Sequence, residues 1–132
     1  MATKVLDSYA LMAFFEDEPG ADFVRELIHK SVESDVNLLM TVVNLGEVWY
    51  SIARNNSAEI ADQYIHEIKG MGIEIVEVDW NLTRQAAVFK AGGNISYADC
   101  FAAALAKLKK AELVTGDKEF KSLDGEIKIA WL

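Results

Sequence analysis

The sequence predicts an α/β fold built on a mainly parallel sheet. Two observations carry that expectation. Short apolar runs rich in β-branched residues alternate along the chain with longer stretches whose apolar residues recur at helical spacing. The short runs are also too uniformly apolar to be ribbons with one face in water, which is how strands of a parallel sheet read. Its crossovers should be right-handed.

The elements follow in order. "TKVLD" (3–7) reads as a strand, and "SYALMAFF" spaces Leu11, Met12, Phe14 and Phe15 as a helix does. "EDEPGAD" breaks the chain at Pro19 and Gly20 before a second helix carrying Phe23, Val24, Leu27, Ile28 and Val32. "VNLLMT" is a buried strand, followed by the helix "VVNLGEVWYSIAR", with Leu45, Val48, Trp49 and Ile52 on one face. Ser57 is an N-cap for "AEIADQYIHEIKGMG", which closes on glycine. "IEIVEVD" (73–79) alternates at period two, and "NLTRQAAVFKAGG" is helical up to Gly92-Gly93. There follow the helix "SYADCFAAALAKLKKA", the strand "ELVTGD", a helical turn at "KEFKSL" and a last strand in "IKIAWL".

Composition bounds what such a chain does. At 132 residues, 52% hydrophobic and with one proline, it is expected to fold as one compact domain over 1–132. Cys100 is the only cysteine, so no intrachain disulfide forms, and a reducing cytoplasm is the expected compartment. No signal peptide is legible, and "CFAAALA", fenced by Asp99 and Lys107, is too short to span a bilayer. A formal net charge of −8 is the wrong sign for non-specific binding to nucleic acid. A phosphate-rich partner must then meet a local basic patch or a bound cation.

Ligands of open parallel sheets sit beyond the carboxyl ends of the strands. Asp7, Asp79 and Asp117 all end predicted strands, so an acidic strand end alone does not discriminate. Each acid has an ordinary structural explanation as well. Asp7 precedes a helix, where an N-cap Asp stabilises by about 0.5–2 kcal/mol over Ala. Ser96 and Asp99 make a capping box, and Asp117 caps the turn at "KEF" while Thr115 continues the strand. Glu47 shares a helix side with Asn44, Ser51 and Arg54, which by itself reads as a solvated face, although its place just after a strand sets it near the expected cleft.

Other chemistry finds less support. His29, His66 and Cys100 lack zinc spacing, and Cys100 reads as a small buried hydrophobe. The run Glu16, Asp17, Glu18 reads as a complement to the dipole of the following helix. No Gly-rich phosphate loop is present, which removes NTP hydrolysis. The donors on offer are carboxylates, an amide and hydroxyls, which suit a hard cation, Mg²⁺ or Mn²⁺.

Taken in order, "VLDSYALMAFF", "NLGEVWY", "ISYADCFAAALA" and "LVTGDKEF" resemble the PIN-domain nucleases, and within them the VapC toxins of prokaryotic toxin–antitoxin pairs, over nearly the entire chain. Matched residue by residue, the resemblance implies an acid site of Asp7, Glu47, Asp99 and Asp117, supported by Ser8, Asn44 and Thr115. Tyr9 departs from it, because many relatives carry Ser or Asn there. The resemblance further implies a three-layer α/β/α sandwich, a homodimer, cleavage of RNA with Mg²⁺ or Mn²⁺, and a cognate antitoxin covering the cleft. Arg54, Lys118 and Lys121 are the candidate cations for its mouth.

Rival readings come from other classes. A receiver-like Mg²⁺-binding signalling module wants an acid pair after the first strand and a lysine after the last, whereas "VLDS" gives one acid and "IKIAWL" nearly ends the chain. An aspartyl-phosphate phosphatase wants D-x-D where "DSY" stands. A catalytically silent PIN-like interaction module stays open.

Overall fold

The computed structural model describes residues 1–132. Five strands form one sheet: β1 (Ala2–Leu6), β2 (Val36–Thr41), β3 (Ile73–Val76), β4 (Glu112–Thr115) and β5 (Ile129–Trp131). All four pairings are parallel, in the order β3-β2-β1-β4-β5. Between the strands run α1 (Ser8–Phe15), α2 (Ala21–Val32), α3 (Val42–Asn55), α4 (Ala58–Lys69), α5 (Trp80–Ala91), α6 (Tyr97–Lys109) and a 3-10 helix at Lys118–Leu123.

Pleating sorts the strand residues between two cores. Val5 lies beside Leu39 and Leu113 in register, and these pack with α5, α6 and the 3-10 helix on one face. Leu6 lies beside Val114, and with Leu38, Met40 and Ile73 it packs against α1 through α4 on the other. The result is the α/β/α sandwich. On α6 the run from Ala102 to Ala106 is wholly buried, because small side chains let this helix lie close on the sheet. No helix is long and apolar enough to cross a membrane.

Most predicted elements are present, and the differences have local causes. β3 stops at Val76, and Asp79 is the N-cap of α5, accepting from the Leu82 amide at 2.8 Å, so this acid does not end a strand. Trp49 is only half-buried, because its indole N–H donates to Asp62 on α4. Glu16 sits at the C-cap of α1, and the acid within the first turn of α2 is Asp22.

The strand order has a consequence for function. From β1 the chain moves outward through β2 to β3, then returns to place β4 on the other side of β1. This reversal opens a crevice at the carboxyl ends of β1 and β4. It also separates the fold from receiver domains, whose order is 2-1-3-4-5.

Candidate metal centre

The residue after β1 is Asp7 and the strand beside it ends at Thr115, so register alone makes them neighbours. Asp7 caps α1 through one oxygen, accepting from the Ala10 amide at 2.9 Å, while its other oxygen accepts from the Thr115 hydroxyl at 2.5 Å. Thr115 Oγ1 in turn accepts the Asp117 amide at 3.0 Å. The cap and the site are one arrangement.

A second chain of hydrogen bonds enters from α3. Thr41 caps this helix, accepting from the Asn44 amide and donating to Asn44 Oδ1. The Asn44 amide group then donates to Glu47 Oε1 at 2.9 Å and to the Ala98 carbonyl at 3.1 Å, joining α3 to the first turn of α6. Ser8 also donates to Glu47, at 3.1 Å. Asn44 is fully buried and Glu47 half-buried, so this side of α3 is not the solvated face its polarity suggests.

Asp99 enters from α6. Ser96 Oγ caps that helix, accepting the Asp99 amide at 3.3 Å, which leaves the carboxylate to face Asp117 and Glu119. One ligand oxygen from each of these three lies within 4.8 Å of the others. Glu119 was not expected from the sequence. Its signal is the two-residue offset from Asp117, which places both acids at the start of the 3-10 helix, where Asp117 accepts the Glu119 amide.

The electrostatics follow from burial and crowding. Burial raises the Asp7 carboxyl to about 7, opposed by the Thr115 and Ala10 hydrogen bonds and assisted by the charges of Asp117 and Glu47. Asp99 is likewise raised to about 7, by burial first, then by Asp117, Glu119 and Glu47, against a smaller lowering by Ser96. None of the ion pairs of the chain reaches these acids. Their repulsion is relieved only by protons or by an outside cation, and an all-oxygen donor set suits a hard divalent one.

A PIN domain model matches residues 4–126. This chain belongs to the PIN domain family. No curated protein is significantly similar to it in sequence. Among solved structures, DNA-bound VapBC from Salmonella typhimurium has a chain that superposes with a TM-score of 0.77 at 17% identity, covering 98% of each chain. VapBC2 from Rickettsia felis, bound to a DNA fragment from its promoter, gives 0.74 at 18% identity over 98% of each chain. VapC20 of Mycobacterium tuberculosis, described as a sarcin-ricin loop cleaving toxin, gives 0.69 at 15% identity, over 90% of this chain and 93% of that one. At these identities the likeness is one of fold.

Within this PIN domain the acids and hydroxyls singled out in the sequence meet at one end of the sheet. The proposed cations do not all join them. Arg54 lies ten residues along α3 from Asn44, about 15 Å at 1.5 Å per residue, and stacks on the Tyr50 ring. Lys118 and Lys121 are exposed on the 3-10 helix, and only Lys118 adjoins an acid of the cluster in sequence. A concavity of about 710 Å³ opens elsewhere, among Thr3, Val36 and Gly72 at the amino ends of the strands, and it holds none of these acids.

Proposed function

We infer that this PIN domain is a metal-dependent ribonuclease that hydrolyses phosphodiester bonds of RNA, and that it is the toxin of a toxin–antitoxin pair. The observation that carries the chemistry is a set of acids crowded at the β1/β4 crevice with no cationic side chain to balance them. Family membership and fold neighbours from VapBC assemblies support the biological setting.

Asp99, Asp117 and Glu119 would hold Mg²⁺ or Mn²⁺, with Asp7 and Glu47 completing the charge around it. Such an ion supplies charge neutralisation at the phosphate and acidifies a water for attack. The chain's own residues do the positioning. Thr115 fixes the Asp7 carboxylate and the Asp117 backbone together. Ser8 and Asn44 both donate to Glu47 Oε1, which turns that carboxylate toward the cluster and leaves its other oxygen to accept a proton or orient a water. By the same reading the partners are a cognate antitoxin and a second copy of the chain.

The test is cleavage of a panel of RNAs with Mn²⁺ or Mg²⁺ by wild type, Asp7→Asn and Asp99→Asn. Cutting that needs the ion and falls at least about 100-fold in both variants is the expected outcome. Equal cutting by all three proteins would trace to a contaminant and favour the catalytically silent interaction module.

A further inference from the structure

Tyr9, where the sequence departs from the motif of its family, has no part in the chemistry above. It lies two residues after Asp7 in the first turn of α1, and its side chain crosses to the turn that follows β4. A Cβ on Gly116 would fall 2.4 Å from Tyr9 Cε1, 2.8 Å from Cζ and 3.1 Å from Oη, so the ring lies directly on the Gly116 backbone. The φ of Gly116 is outside the left-handed region, unlike those of Gly20, Gly72 and Gly125, so its conformation does not call for glycine. The ring does.

What the ring covers is the link between two fixed points of the site. Thr115 is fully buried and donates to Asp7, and its Oγ1 accepts the Asp117 amide at 3.0 Å. Gly116 stands between them with no side chain to pack, and glycine has the widest backbone freedom of any residue. Asp117 shares the ligand cluster with Asp99 and Glu119, so freedom at Gly116 would be passed on to a ligand. Tyr9 is exposed at 42%, and its ring closes the turn from the solvent side. The buried Asp7, at the same end of α1, holds the turn from within through Thr115.

We propose that Tyr9 is a positioning residue for the metal centre: its ring clamps the Gly116 backbone and thereby aims the Asp117 carboxylate at the ion held with Asp99 and Glu119. The proposal rests on the metal-centre reading and adds the device that orders one of its ligands. It makes Tyr9 and Gly116 a single unit. Enlarging Gly116 pushes the ring out of contact at little cost to folding, because the atoms it meets are the free end of a side chain with solvent beside it. Truncating Tyr9 uncovers the same turn. Two changes that remove one contact should not add.

The experiment is calorimetric titration of the metal-free protein with Mn²⁺, for wild type, Tyr9→Phe, Tyr9→Ala, Gly116→Ala and the double variant Tyr9→Ala/Gly116→Ala. Asp99→Asn assigns the heat to the acid centre, thermal melts show that each variant is folded, and NMR reads hydrogen exchange at the Asp117 amide. The expected result is an Mn²⁺ affinity about tenfold weaker in each single alanine variant, no weaker in the double variant, and retained in Tyr9→Phe. Where affinity is lost, the Asp117 amide should exchange about tenfold faster while the amides of β1 and β4 keep their protection. Alanine variants that bind Mn²⁺ as wild type does, losses that add in the double variant, or an Asp117 amide as protected as before overturn the clamp and leave the metal centre standing. A wild type that binds no Mn²⁺, or an Asp99→Asn that binds it equally well, removes the metal centre and the clamp with it.

Discussion

At the scale of single residues, Asp7 carries the clearest tension between stability and chemistry. Its carboxyl is raised from 3.8 to about 7 in the fold. The folded state therefore holds this proton more tightly than the unfolded chain does, so the associated stability is complete below about 4 and is lost as pH rises toward 7. A shift of that size corresponds to about 4 kcal/mol as an upper bound. Asp7→Asn removes the titration and keeps a side-chain oxygen to accept the Ala10 amide. Chelator-treated Asp7→Asn should be more stable than wild type at pH 7.5, by on the order of 2 kcal/mol, and lose that advantage near pH 4.5; denaturant melts at the two pH values read the difference. An equal gap at both would mean the effect is packing. Asp7 was legible in the sequence because a strand ended on it and a motif surrounded it. Glu119 was not, because Asp117 is the extended N-cap of the 3-10 helix and its side chain folds back onto the Glu119 amide, whereas helical-wheel reasoning looks for i+3 and i+4.

At the scale of elements, the 3-10 helix is short yet places two of the acids, and Phe120 is what anchors it. That side chain is fully buried in the core formed with α5 and α6. Phe120→Ala should cost about 3–5 kcal/mol in a urea melt and also weaken Mn²⁺ binding, since Asp117 and Glu119 lose their footing. If calorimetric titration shows unchanged Mn²⁺ affinity, the helix does not position the ligands. The longer helices were legible from apolar spacing and from caps such as Ser57, which accepts the Ile60 amide as expected. Strand ends were less so. Alternation runs on through Glu77 and Val78, but β2 offers β3 a partner only as far as Thr41, so pairing stops at Val76. The polar face of α3 misled for a related reason: amphipathic patterning cannot tell solvent from a buried polar network, and Asn44 belongs to the network.

At the scale of the whole molecule, cation binding and folding are coupled, because the crowded acids tie β1 and β4 to α3 and α6. Mn²⁺ at about 100 times its dissociation constant should contribute about 2.7 kcal/mol and raise the melting temperature by about 5–10 °C. Asp99→Asn should lose most of that rise in a thermal shift measurement, and a rise that survives in the variant would place the ion elsewhere. The α/β class was legible from alternation. The order of the strands was not, because helical crossovers let any two parallel strands lie side by side, and only the packed structure shows β4 next to β1. That order also leaves short strands at both margins: β3 spans Ile73–Val76 and β5 spans Ile129–Trp131. So few free main-chain groups give an incoming strand little to zip onto, which guards against sheet-to-sheet aggregation. A protein that grips this molecule must therefore find its area on helix surfaces and side chains.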